Sequence, residues 1–248
     1  MSNPVRIVTV SYLNTQPFIE GLQRHFTPEE VIIELAHPAK CAEAAVTGSA
    51  DLVLVPVGAL PELPNHRLLP GWCIGAEGPV RTVAVYSEVP LQECESVFLD
   101  YQSRTSVLLA QMVIQDYLKL PLRFEPAYPH FEAEISGKKA GLVIGDRTFQ
   151  LDDRYPYKLD LGKAWTEWTG LPFAFAVWVE LHPLDASFKK RFDEAVSWGV
   201  NHVVEFAGGP VELEYFEKYI SYPFDGRKQQ ALKLFLAKAA HLVEGSLA

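Results

Sequence analysis

The chain is poor in cysteine, has no basic run and has no membrane-length apolar stretch, and each absence removes a class of function. Its 248 residues include three cysteines, Cys41, Cys73 and Cys94. They are odd in number and widely spaced, so neither a disulfide framework nor a zinc knuckle is indicated, and reduced structural thiols are expected. The formal net charge is −9, from 31 acidic and 22 basic residues. With no Lys/Arg-rich segment, nucleic acid is not an expected partner. Nor is a membrane, because no run is long and apolar enough to span one. Met1 to Arg6 lead directly into an apolar strand without a leader-like apolar region, so a cytoplasmic location is expected. No two of His25, His37, His66, His130, His182, His202 and His241 have ligand spacing for zinc, and no metal is expected. GxGxxG, GxxxxGK[ST] and GxSxG motifs are missing, which disfavours nucleotide cofactors and acyl-enzyme chemistry.

What is present is ordinary globular material, 48% hydrophobic and 21% charged, enough for one large core or two modest ones. Ile7 to Tyr12, Val31 to Leu35 and Asp51 to Val57 read as strands. Helices at Pro17 to His25 and Ala39 to Thr47 separate them. This βαβαβ order requires crossovers and implies parallel strands with helices on the faces. From Leu68 to Tyr86 two extended stretches follow without a helix between them. A second βα series then starts at Val97 to Asp100, with an amphipathic helix from Ser103, strands at Leu122 to Pro126 and Ala140 to Asp146, and a short helical stretch at Glu132 to Ser136. A Tyr/Pro/Asp-rich loop leads to a helix at Leu161 to Trp168. The apolar run Phe173 to Val179 and helices at Asp185 to Phe206, Val211 to Ile220 and Arg227 to Val243 complete the chain. The expected organisation is two α/β lobes, lobe I being 1–84 and 177–248 with the C-terminal helices, and lobe II being 85–176. Phe173 to Val179 is expected beside Thr82 to Tyr86, the two crossings forming a hinge with a ligand cleft between the lobes. A single continuous sheet fits the periodicity nearly as well.

Several stretches could carry chemistry. The first strand closes on Ser11-Tyr12-Leu13-Asn14-Thr15-Gln16, five of whose six side chains are polar. Ligands bind beyond the carboxyl ends of strands in open α/β sheets, which makes this turn a pocket candidate. The competing reading is that Asn14 and Thr15 merely cap a helix. Ser103-Arg104-Thr105-Ser106 puts three hydroxyls and a cation at a helix start, where backbone N–H groups and the dipole favour an anion. An ordinary Ser/Thr cap with Arg104 in solvent is the alternative. Arg81 and Thr82 are a weaker pair of the same kind. Asp146 ends a strand and could act as a base, orient a hydroxyl or cap the next helix, and Asp100 shares that ambiguity. Asp51 lies before its strand and reads as structural, and His37 reads as a loop residue. Trp165, Trp168 and Phe173 could wall a planar ligand, although core packing is the simpler reading.

Ser11-Tyr12-Leu13-Asn14-Thr15-Gln16-Pro17-Phe18, Leu99-Asp100 followed by Ser103 to Ser106, Ile144-Gly145-Asp146, and Trp168-Thr169-Gly170-Leu171-Pro172-Phe173 occur in this order. Over almost its whole length the chain thereby resembles the MqnA family, the chorismate dehydratases of the futalosine route to menaquinone. The Ser-Tyr-Leu-Asn opening is the specific part, since the related MqnD family opens with a Pro- and Asp-containing turn. Two departures stand out: Ala39 follows Pro38 where many relatives carry Ser, and Thr82 replaces a usual Ser. The resemblance implies a periplasmic-binding-protein-like fold used as an enzyme. Chorismate would lose its ring hydroxyl as water, and a ring proton, giving 3-[(1-carboxyvinyl)oxy]benzoate, with no cofactor because aromatisation drives the reaction. For this reaction Asn14 is the expected catalytic residue, positioning the reacting edge and hydrogen-bonding the leaving hydroxyl, and Ser11, Tyr12, Thr15, Thr82, Ser103, Arg104, Thr105, Ser106 and Asp146 are the expected substrate contacts. The motifs offer no suitably placed His or Lys, so the expected base is the substrate's enolpyruvyl carboxylate, with Asp146 as its competitor. The expected partner is the small substrate alone, with the protein a monomer or homodimer. A cytoplasmic carboxylate sensor and an MqnD-type lyase are the alternatives.

Overall fold

The computed structural model describes residues 3–63 and 66–245. In chain order these form β1 (Val5–Val10), α1 (Gln16–His25), β2 (Val31–Ala36), α2 (Pro38–Thr47), β3 (Leu52–Pro56), β4 (Arg67–Ala76), β5 (Val83–Ser87), β6 (Ser96–Leu99) and α3 (Arg104–Met112). They continue with β7 (Arg123–Pro126), β8 (Lys139–Ile144), β9 (Tyr157–Asp160), α4 (Leu161–Thr169), β10 (Phe173–Glu180), α5 (Ala186–Asn201), α6 (Pro210–Glu214), β11 (Ser221–Phe224) and α7 (Gly226–Gly245). The chain divides into two compact units, the first Met1–Gly75 with Ala174–Asp225 and the second Ala76–Phe173 with Gly226–Ala248.

In the first unit a six-stranded sheet runs β11-β4-β10-β3-β1-β2. β1 pairs in parallel with both β2 and β3, so the α1 and α2 crossovers are obligatory. β3 is buried along its length, which is why Leu52 to Pro56 form an uninterrupted apolar run. Gly48 closes α2 in the left-handed region at φ 65, a conformation that glycine adopts without a Cβ clash. The rings of Phe18, Trp178 and Phe192 form a chain of tilted and edge-on contacts, with centroids 5.7 and 5.1 Å apart. Beside them α1 and α5 approach at backbone distance. A Cβ at Gly199 would collide with the Pro17 carbonyl, and one at Gly21 with the Ala195 carbonyl.

The second unit is built on a five-stranded sheet, β7-β6-β8-β5-β9. β6 is parallel to β7 and β8, whereas β5 is antiparallel to β8 and β9. Its core includes Trp165 and Phe173, whose rings meet edge-on at 5.1 Å.

Four expectations about organisation change. The C-terminal helix α7 belongs to the second unit, because Phe235 packs edge-on against Phe173 (5.2 Å) and Trp165 (6.3 Å). The chain therefore passes between units three times, after Gly75, Phe173 and Asp225. β10 lies beside β3 and β4, not beside β5, which sits within the second sheet. The Tyr/Pro/Asp-rich loop contains the edge strand β9, and Glu132 to Ser136 shorten to a single 3-10 turn at Phe131–Glu134.

Candidate functional site

In the first unit the turn after β1 is locked from within. Leu13–Thr15 form a 3-10 turn that leads into α1, with Pro17 in the helix's first turn. Proline is tolerated there because that position needs no N–H. Thr15 is fully buried, and its hydroxyl points at the Val10 and Tyr12 carbonyls at 2.5 and 2.8 Å. Neither Asn14 nor Thr15 caps α1 through its side chain, so the capping reading does not hold. Thr15 builds the turn, in place of the substrate contact expected of it.

Asn14 is held through its backbone: the Tyr222 hydroxyl donates to its carbonyl at 3.1 Å. Tyr222 is buried, and desolvation lifts its pKa well above the ordinary tyrosine value, so the phenol stays protonated and can donate. The Asn14 Oδ1 is also buried, yet it has no hydrogen-bond partner among the described residues. An orphaned buried amide oxygen costs about 1–3 kcal/mol, and such a group calls for an explanation. Around it, Ser11 is exposed and donates its N–H to the Ala36 carbonyl at 2.9 Å, tying together the ends of β1 and β2. The Tyr12 ring is half-buried, 6.3 Å from that of His37.

In the second unit, strand register gathers a second cluster. Val83 of β5 pairs with Ile144 of β8, and the Gly145 N–H donates to the Thr82 carbonyl at 2.9 Å. Buried Asp100, at the end of β6, accepts from the backbone N–H groups of Gln102 (3.0 Å) and Ile144 (3.2 Å) and from the Arg147 guanidinium. Burial raises the Asp100 pKa, with Arg147 and the two N–H groups opposing the rise. Its carboxylate ties β6 to β8; it is not a free base. Thr82 therefore lies at the same end of the sheet as the Gly145-Asp146 turn and the segment that leads to α3.

Ser103 is a true N-cap. Its Oγ accepts from the Ser106 N–H at 3.2 Å and donates to the Ser106 hydroxyl at 3.0 Å. Ser103→Ala is expected to cost about 1 kcal/mol, read as a lower urea midpoint with an unchanged m-value. Thr105 and Ser106 are buried, whereas Arg104 and Asp146 are exposed. Arg81 takes φ 66, and the Thr82 N–H closes this turn on the Val80 carbonyl at 2.8 Å. A non-glycine residue in this region costs on the order of 1–3 kcal/mol unless its surroundings impose it. The Asp160 carboxylate supplies that constraint, accepting from the N–H groups of Val80 (3.1 Å), Arg81 (2.7 Å) and Lys163 (3.0 Å).

A sequence profile described as menaquinone biosynthesis matches residues 5–241. The chain belongs to the menaquinone biosynthesis family. Known structures add the fold class of this family member. The Archaeoglobus fulgidus protein AF1704 is 17% identical with a TM-score of 0.73, the match covering 97% of this chain and 98% of that one. A Candida albicans gene product described as having the generic periplasmic binding protein fold is 11% identical, with a TM-score of 0.64 over 94% and 90% of the two chains. The periplasmic aliphatic sulphonate binding protein SsuA from Escherichia coli is 14% identical, with a TM-score of 0.59 over 100% and 89%. The periplasmic-binding-protein-like α/β architecture expected from the sequence is thereby established.

In this menaquinone biosynthesis protein the remaining sequence candidates divide clearly. Trp165 is fully buried and donates its indole N–H to the Pro172 carbonyl at 3.1 Å; with buried Phe173 it is core packing, and half-buried Trp168 meets Trp165 edge-on at 5.9 Å. Asp51 accepts from the Arg6 N–H at 2.8 Å and lies 3.1 Å from the His182 ring nitrogen, a structural role. No cluster of three metal-ligating His, Cys, Asp or Glu side chains occurs among the described residues, and no helix among them is long and apolar enough to cross a membrane. Tyr222, the donor to Asn14, was not a sequence candidate; its contact crosses 208 positions, and no local pattern encodes it.

Proposed function

We propose that this menaquinone biosynthesis protein is a chorismate dehydratase acting in the cytoplasm, and that Asn14 is its catalytic residue. One observation carries the reading. Asn14, in the Ser-Tyr-Leu-Asn turn at the carboxyl end of β1, has a buried amide oxygen with no partner among the described residues, while its own carbonyl is fixed by Tyr222. A primary amide offers both a donor and an acceptor to a hydroxyl. In the proposed reaction Asn14 orients the ring hydroxyl, and its N–H supports the oxygen as the C–O bond breaks. The enolpyruvyl carboxylate of the substrate takes the ring proton, the electron pair of that C–H bond completes the aromatic ring as the C–O bond breaks, and the captured proton passes to the departing hydroxide, which leaves as water. Holding that carboxylate against the ring makes proton transfer effectively intramolecular, which can remove several kcal/mol of barrier.

The contact roles of Ser11, Tyr12, Thr82, Ser103, Arg104, Thr105, Ser106 and Asp146 belong to the same proposal, each read from the KM of its single variant. The test of the function is direct: purified protein is incubated with chorismate, and the aromatic product lighter by one water is followed by absorbance and mass spectrometry. Saturable binding without product would favour a small-carboxylate sensor on this binding-protein fold. Inert chorismate together with turnover of cyclic dehypoxanthine futalosine would assign the MqnD-type reaction instead.

A further inference from the structure

We propose that Tyr222 is a positioning residue for the reaction, holding the Asn14 backbone so that the side-chain amide is presented to substrate in one orientation. The inference rests on the chorismate dehydratase reading for its kinetic consequence, but its geometry stands independently. Both residues lie within the first unit, and the turn between them is fixed at two points. Thr15 ties the turn to Val10 and Tyr12 from inside. The Tyr222 hydroxyl, 3.1 Å from the Asn14 carbonyl, ties it to β11. The Asn14 amide oxygen has no hydrogen-bond partner among the described residues, so the backbone that Tyr222 holds sets the point from which the amide is presented.

The register places this donor. β11 pairs Ser221 with Gly75 but Pro223 with Trp72, so two steps along β11 oppose three along β4 and the ladder is irregular at Tyr222. Bulges of this kind re-aim a side chain. The Tyr222 ring, 3% exposed, lies edge-on to Phe18 with centroids 5.3 Å apart. Phe18 in turn packs on Trp178 at 5.7 Å. The phenol therefore has a fixed ring position, set by aromatic packing, and a hydroxyl contact that reaches the candidate site. That contact ends on Asn14, whose amide oxygen is, like the hydroxyl oxygens of Thr9 and Thr166, buried without a hydrogen-bond partner among the described residues.

Tyr222→Phe keeps the ring packing and removes only the oxygen. The expected result is a kcat for chorismate dehydration lowered between about tenfold and a hundredfold, in line with small misplacements of a reacting group, with KM changed by less than about twofold. In an Asn14→Ala background the same substitution is expected to leave the residual rate unchanged, because the group it positions is gone. Equal losses in both backgrounds, or wild-type kcat in Tyr222→Phe, overturn the inference while leaving the dehydratase reading intact. A wild-type protein inert toward chorismate overturns the reading instead. The positioning claim is then decided by the 15N spectrum of the Asn14 side-chain amide: one sharp pair in wild type and broadened or doubled signals in Tyr222→Phe are expected, and identical spectra refute it.

Discussion

Asn14→Ala is expected to lower kcat for chorismate dehydration by about 10²- to 10³-fold, the loss typical of removing one preorganised hydrogen-bond group aimed at developing charge. KM is expected to move far less, because contact with the departing hydroxyl strengthens as the C–O bond breaks. The same variant is expected to unfold at the same or a slightly higher temperature than wild type. Its amide oxygen is buried without a hydrogen-bond partner among the described residues, so deleting it removes an unmet desolvation penalty. Lost activity with retained stability is the pattern of a group kept for function. Near-normal turnover in Asn14→Ala would remove Asn14 from the mechanism. Asp146→Asn is the control for the competing base: Asp146 is exposed, and the substitution is expected to leave kcat within a few-fold of wild type. A large loss with chorismate still bound would transfer the proton to Asp146.

The second large effect is on stability. Gly199→Ala is expected to destabilise the first unit by about 3 kcal/mol, the upper end of what overpacking costs, lowering the midpoint by roughly 6–12 °C for a chain of this size. The reason is local: the added methyl would meet the Pro17 carbonyl, which is backbone and cannot swing aside. Gly21→Ala meets the Ala195 carbonyl and is expected to behave alike. Gly78→Ala, where the methyl would find open space, is expected to stay within about 0.5 kcal/mol of wild type. Pro17 opens α1 three residues after Asn14, so Gly199→Ala is expected to lower kcat even well below its melting temperature. Calorimetry and assays on the three glycine variants separate these outcomes.

How much could be read from sequence depended on whether the signal was local. β1 and its polar turn, the continuous run of β3, the N-cap at Ser103 and the Gly145 turn ending β8 all carry their chemistry within a few residues, and the structure has them where the pattern places them. β9 and β11 have four residues each, too short for alternation to show; β9 hides among Tyr, Pro and Asp, and β11 carries Pro223, tolerated at a sheet edge. The amphipathic pattern of α7 declares a helix but not which core it serves; that is decided by Phe235 meeting Trp165 and Phe173. The same limit applies to the site. Asn14 is legible as a polar turn residue, but its unmet oxygen and its distant phenol donor are facts of packing.

The hydrogen bond from Tyr222 to Asn14 also has a consequence during synthesis. It spans 208 positions, and contacts so distant in sequence form only after the intervening chain has been ordered. β1 and its turn are made first, but the Asn14 carbonyl gains its donor only when β11 has been translated and has joined β4. A nascent chain lacking residues beyond Ile220 should therefore show native-like pairing of β1 with β2 while its Asn14 turn still samples several conformations. Catalytic competence is expected to arrive late and abruptly, with the last strand of the first unit.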